Sequence, residues 1–320
     1  MKTAVMTDTN SGITIEEGRR LGIFVLPMPV IVDGRDYLEN VDITREELYT
    51  AILEGRDVCT SQPSPDALIS MWKEIIKQGY DSIIHIPMSS GLSGSCQMAA
   101  CFAQEFDGKV QVADNHRIAV TLRDSVMDAK MMADQGKSAE EIKEYLENSD
   151  SRIFIAVKTL DLLKKSGRVT PAAAAVANIF HIMPILSIKE GKLDAYAKAR
   201  GVKACEKRIC DAVEQEIEER FPGVDLSLIT IGAAGTFADP AEAERWLNTV
   251  RARFPQCRTY YNALSCSIAC HVSVDAIGIG VSCAYAENAA AFTENGAAYA
   301  ENADASAREL WGDGLKAAGF

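Results

Sequence analysis

Residues 82–106 read SIIHI-PMSSGLSG-SCQMAACFAQEF, a short apolar run, a serine- and glycine-rich stretch and a run of helix-forming residues. Five apolar-dominated residues closed by Pro87 predict a buried strand over Ser82–Ile86, a loop over Pro87–Gly94 and a helix over Ser95–Phe106. The same unit recurs on both sides. Residues 3–6 (TAVM) predict a strand running into the polar loop TDTNSG at 7–12, and Thr14 with Glu17 has the spacing of a capping box opening a helix to about Leu21. The apolar run Ile23–Val32 predicts a strand that Pro27 and Pro29 bend or push to an edge. Thr44 and Glu47 repeat the capping box before a helix ending near Gly55, and Ser64-Pro65 opens a helix to about Gln78. Val110–Ala113 predicts a further strand, with helices over about 117–134 and 139–147. Strands alternating with helices indicate a parallel α/β domain over residues 1–152.

The second half has another rhythm. A strand is expected at Ile153–Val157, a short helix at Leu160–Lys165 and an Ala-rich helix at Pro171–Phe180. Pro184–Ile188 and Leu193–Lys198 flank Glu190-Gly191, a hairpin pattern. A charged helix over about 202–220, a strand at Leu226–Ile231, a helix at 240–253 and strands at 258–263 and 276–282 complete an α+β domain, residues 153–283, with a largely antiparallel sheet. Residues 284–320 repeat a seven-residue unit that brings Tyr285, Phe292 and Tyr299 to one helical face. One aromatic per heptad offers little area to bury, so a weakly helical or disordered appendage is expected, or else an interaction element.

The chain has 320 residues, enough for two domains, and a net charge of −12 that argues against binding a nucleic-acid backbone. The longest apolar candidate, Pro171–Ile188, is broken by Asn178, His181 and Pro184, so no stable membrane insertion is expected. No signal peptide is legible, which points to the cytoplasm. Nine cysteines, an odd number, suit reduced thiols. Cys266, Cys270 and His271 lack a second ligand pair, so no metal is predicted. Neither a Walker loop nor a dinucleotide fingerprint occurs, so no cofactor is predicted either.

Three Ser/Thr-rich loops remain: TDTNSG at 7–12, TSQPS at 60–64 and SSGLSGS at 89–95. Each runs towards a helix start, where free N–H groups and the helix dipole favour an anion. The loop at 87–95 lies at the carboxyl end of a strand, where open α/β sheets place their ligands. Ser64 reads as an ordinary N-cap. Ser93 lies between Gly91 and Gly94, which permit close backbone approach to a ligand. Gly91-Leu92-Ser93-Gly94-Ser95 misses the nucleophile elbow by its last residue. Of the four histidines (His85, His116, His181 and His271), none is tied to Ser93 by spacing. A hydrolase or transferase using Ser93 with His271 as base is the alternative reading. His85 and His181 read as core or loop residues.

TDTNSG, TSQPSP at 60–65, SSGLSGS at 89–95, SGR at 166–168, the strand end at Arg200 and His271 before IGIGV occur in an order that resembles the DegV family, bacterial fatty-acid-binding proteins. The resemblance spans roughly residues 3–283. It implies a two-domain fold with a long-chain fatty acid enclosed between the lobes, and no catalysis by this chain. Carried over, Thr60, Ser93 and His271 would hold the carboxylate, with Ser61, Gly91, Gly94 and Ser95 supporting them. Family members associated with a kinase present the bound acid to a separate ATP-dependent subunit, and Arg168 and Arg200 would face that partner or the phosphate. Cavity lining is expected from Ile23–Val32, Phe154–Val157 and Ala172–Leu186. The sequence departs from the family at Ser273 and Asp275, where H-x-G-P-G has glycines. It departs also at Ser166 in place of the first Gly of G-G-R, at Gly201 in place of Thr, and at Ser95-Cys96 in place of Thr-Tyr.

Overall fold

The computed structural model describes residues 2–175, 182–189 and 192–285. The first half forms β1 (Thr3–Asp8), α1 (Ile15–Leu21), β2 (Ile23–Leu26), β3 (Pro29–Val32), β4 (Arg35–Leu38), α2 (Arg45–Leu53), β5 (Val58–Thr60) and α3 (Pro65–Lys77). It continues through β6 (Ser82–Ile86), α4 (Ser95–Ala103), β7 (Val110–Val112), α5 (Ala119–Asp134) and α6 (Ala139–Asn148). Four strands make a parallel sheet in the order β2-β1-β6-β7, with Val5 opposite Ile23 and Ile84. Alternation along the strands sends side chains to two cores. Ala4, Met6 and Ile83 pack on Leu68 and Trp72 of α3 and Ala99 of α4, whereas Val5, Ile84 and Ile86 pack on Leu122 and Val126 of α5 and Ile142 of α6. His85 is buried in this sheet, its ring edge-on to Trp72, as a core residue.

The second half adds β8 (Ser151–Ala156), α7 (Asp161–Ser166), α8 (Pro171–Ala174), β9 (Ile182–Lys189), β10 (Lys192–Arg200) and α9 (Val202–Arg220). Then follow β11 (Ile229–Gly235), α10 (Pro240–Arg253), β12 (Arg258–Ala263), α11 (Cys266–Val272) and β13 (Ile277–Cys283). Its six strands run β10-β9-β8-β13-β11-β12, antiparallel except for β11 with β12. Helices α9 and α10 cover one face through Ile209, Val213, Trp246 and Val250. The other face meets α5, which lies between the two sheets. The fit there is close because the sheet presents glycines: a Cβ at Gly232 would lie 2.5 Å from Val120 Cβ, and one at Gly280 would lie 2.7 Å from Thr121 Cγ2.

Several expectations change. The run Ile23–Val32 is two strands, not one: the chain breaks at Pro27-Met28, leaving β2 at the edge of the parallel sheet and β3 in the centre of a separate antiparallel sheet, β4-β3-β5. Pro27 has no N–H to give a ladder, which sets the break there. Strand β4 was not expected because it is short, half its residues are charged and three of the four are exposed. Helix α11 was also not expected; it is buried on nearly all sides and shows no amphipathic period. Leu226–Leu228 forms a 3-10 turn before β11. The hairpin strands pair as expected, while the turn Glu190-Gly191, the end of the Ala-rich helix with His181, and residues 286–320 lie outside the described residues. Tyr285, the first aromatic of the heptad pattern, is buried against Tyr145 with ring centroids 4.9 Å apart.

Candidate functional site

A cavity of about 230 Å³ opens where the carboxyl ends of β1 and β6 meet β5 and α11. Its polar lining includes Asn10, just after β1; Thr60, Ser61 and Gln62, at the end of β5; and Ser93 and Gly94, at the start of α4. Arg168, behind α7, and Ser267 and His271, on α11, complete that side. Met28, Met88, Leu92, Ile118, Leu163 and Leu193 supply an apolar body. Of the residues singled out in the sequence, Thr60, Ser61, Ser93, Gly94, Arg168 and His271 therefore share one cavity. Gly91 and Ser95 stand behind it. Arg200 is exposed at the far end of β10, seven residues from Leu193, or roughly 23 Å along a strand. Of the three apolar runs expected to line the cavity, Ile23–Val32 contributes Met28.

Thr60 Oγ1 and His271 Nε2 lie 2.9 Å apart. Burial, with the Arg168 guanidinium adding to it, pushes the His271 imidazole down to about 4, so it is neutral at pH 7. With its proton on Nε2, His271 donates to Thr60 and leaves the Thr60 O–H free for a ligand; with the proton on Nδ1, Thr60 donates instead. Nδ1 itself is buried without a hydrogen-bond partner. Ser93 Oγ accepts the Ser95 N–H at 3.2 Å in a turn just ahead of α4, whose N-cap is Gly94, and keeps its own proton to give. The Ser95 hydroxyl is buried without a partner. No hydrogen bond joins Ser93 to His271 among the described residues, so a nucleophile–base pair is not assembled here. Cys266 and Cys270 share α11 with His271, and burial pushes the Cys270 thiol up to about 12, the behaviour of a packed side chain.

Behind the lining stand residues to which the sequence assigned no contact. Asp8 is buried, and its carboxylate accepts the Asn10 N–H at 2.8 Å and the Met88 N–H at 3.0 Å, tying two lining residues together. Asp8-Thr9-Asn10 has the form of an Asx turn, the one local signal that could have marked it. Behind His271 the backbone takes glycine-like conformations without glycine: φ is 65° at Ser273 and 64° at Asp275. Thr236 holds this segment, its Oγ1 donating to the Ser273 C=O at 2.7 Å and accepting the Ala276 N–H at 2.9 Å.

A sequence model of the DegV family matches residues 2–283. The chain belongs to the DegV family. A DegV domain-containing protein of Caldanaerobacter subterraneus is 28% identical over 285 residues, covering 87% of this chain and 98% of that one. Among solved structures, a DegV family protein from Thermus thermophilus, described as fatty acid binding, superposes with a TM-score of 0.77 at 28% identity, covering 88% of this chain and 100% of that one. A DegV lipid-binding protein from Thermotoga maritima superposes at 0.75 with 25% identity, covering 88% and 99%. The glycine-like backbone at Ser273 and Asp275 thus occupies the positions where the DegV resemblance places glycines.

Proposed function

We propose that this chain binds a long-chain fatty acid in the cavity, its carboxylate received by Thr60, Ser93 and His271 with Ser61 and Gly94 beside them. The observation that carries the reading is the division of one cavity into a hydroxyl- and imidazole-bearing side and an apolar body. A carboxylate leaving water needs donors: the Ser93 hydroxyl supplies one, and the Thr60 hydroxyl another when a neutral His271 donates to Thr60 through Nε2. Each methylene moved against Met28, Met88, Leu92, Ile118 or Leu193 gains about 0.8 kcal/mol before ordering costs. At about 30 Å³ per water-sized atom, the described cavity takes roughly eight non-hydrogen atoms, room for the carboxylate and first methylenes. Membership of the DegV family, with a fatty-acid-binding relative at 28% identity, supports the same reading.

The chain is further read as the non-catalytic partner of an ATP-dependent kinase subunit, with Arg168 beside the carboxylate where a phosphoryl group would be added and Arg200 on a more distant face. A cytoplasmic location suits that role. Among the described residues no helix is long and apolar enough to cross a membrane. Organic extraction of protein purified from a bacterial host, followed by mass spectrometry, should yield close to one fatty acid per chain. Lipid-free protein that also fails to take up palmitate, yet turns over activated esters, would instead favour the Ser93–His271 hydrolase.

A further inference from the structure

Glu39 is a glutamate with 3% of its surface exposed, and it is not among the residues lining the cavity described above. One carboxylate oxygen, Oε1, accepts the Cys266 N–H at 2.6 Å, and the Ser267 N–H at the same helix start also faces the carboxylate. The other, Oε2, accepts the Thr9 hydroxyl at 2.8 Å. Thr9 Oγ1 in turn accepts the Met28 N–H at 3.2 Å, and the Met28 C=O accepts the Glu39 N–H at 3.1 Å. Ser265, the N-cap of α11, approaches Asn10 Oδ1 at 3.0 Å from the same side. The Arg45 guanidinium, buried close by, supplies the opposite charge.

These contacts join three segments far apart in sequence: the Thr9–Asn10 turn, Met28 with Glu39, and the start of α11. Each segment carries cavity lining: Asn10 next to Thr9, Met28 itself, and Ser267 with His271 on α11. The carboxylate sits at the first turn of α11, and His271 lies five residues on, about 7.5 Å along the axis. A helix of this length moves as a rigid piece, so a shift at Cys266 is carried to the imidazole. We propose that Glu39 is a positioning residue for the ligand site, holding α11 against the Thr9–Asn10 turn and Met28 so that His271 meets Thr60. The proposal rests on the fatty-acid reading of the cavity for its binding consequence, and on the hydrogen bonds alone for its structural one.

The test uses the full chain freed of lipid, with two readouts: palmitate titration by calorimetry, and the ring resonances of His271 in the ligand-free protein, assigned from their loss in His271→Gln. Glu39→Ala should weaken palmitate about tenfold, the scale of a lost supporting hydrogen bond, and shift the His271 resonances. Glu39→Gln, which keeps one acceptor oxygen, should recover much of both. Ile142→Ala, a core truncation on α6 away from the site, should lower the melting temperature while leaving both readouts in place. A folded Glu39→Ala protein with wild-type affinity and unshifted resonances overturns the proposal. Should Glu39→Ala fail to fold, Thr9→Val cuts one arm of the network and decides by the same two readouts. If wild type itself does not bind palmitate, the fatty-acid reading fails, and the His271 resonances still decide the role of Glu39.

Discussion

Replacing Thr60 by Val tests the centre of the site with little change of shape. Valine keeps the branched outline and loses only the hydroxyl, which stands 2.9 Å from His271 Nε2. In the unliganded protein the change removes one part-buried hydrogen bond from Nε2, on a ring whose Nδ1 already has none. A typical hydrogen bond contributes about 0.5–1.5 kcal/mol, so urea unfolding should show a loss in that range. With fatty acid bound, a donor to a carboxylate is lost as well. Hydrogen bonds to charged groups contribute about 1.5–3 kcal/mol, which predicts palmitate binding weaker by about 10- to 150-fold in a calorimetric titration. Linkage supplies a second check: at saturating ligand the stability gap between Thr60→Val and wild type should widen by about 1.4 kcal/mol for each tenfold loss of affinity. Thr60→Ser restores the hydroxyl and should behave close to wild type. Affinity for Thr60→Val within about twofold of wild type, well below the scale of one hydrogen bond to a charge, would refute the assignment of Thr60 to the carboxylate.

Ser93→Ala should lose about 1 kcal/mol of stability with its hydrogen bond to the Ser95 N–H and weaken palmitate binding too, whereas Ser95→Ala, which removes a hydroxyl that has no partner, should leave affinity unchanged; paired thermal melts and titrations separate the two. Ser273 sits at φ 65°, ψ −173°, a region essentially reserved for glycine, so Ser273→Gly should raise stability by about 1 kcal/mol after glycine's own entropic cost, read as a higher melting temperature. Because the His271 pKa falls from 6.5 unfolded to about 4 folded, the unfolded chain binds more protons between those values, and stability drops as pH falls through that window. Asp128, raised to about 7 by burial, acts in the opposite direction, so the difference between wild type and His271→Gln is the quantity to follow. That difference should shrink by up to about 3 kcal/mol from pH 7 to pH 4 in urea titrations, and a constant difference would contradict a neutral buried His271.

What the sequence made legible was local. The strands β1 and β6, the caps at Thr14, Thr44 and Ser64, and the hydroxyl-rich loops that follow the strands all depend on neighbours within a few residues, and each lies where its pattern indicated. The convergence of Thr60, Ser93 and His271 on one cavity was legible only through likeness to a family, because nothing at Thr60 encodes a partner 211 positions away. The break at Met28 was half visible: the prolines announced a distortion, but only the pairing of β3 with β5 shows that it sends the chain into a second sheet. Helix α11 escaped because burial on every side erases the periodicity by which helices are recognised. Glu39 escaped for the opposite reason. A glutamate in a charged, exposed stretch looks like solvent-facing surface, and its role exists only once Cys266 has folded against it from 227 residues downstream.

The glycine seats for α5 carry a consequence for how the chain is made. Val120 and Thr121 leave the ribosome well before their partners, and Gly280 follows Val120 by 160 residues. At roughly 5–20 residues per second this is a wait of about 8–32 s. For that interval one side of α5 is covered by the parallel sheet while the seat on the other is incomplete, because β13, which joins β8 to β11, is the last of the described strands to be synthesised. The growing polypeptide therefore carries a partly uncovered helix face while half of its 320 residues are added. Chains halted before Ile277 should be retained by a holdase chaperone and those extended past Cys283 released, making β13 the segment that ends the protein's need for protection.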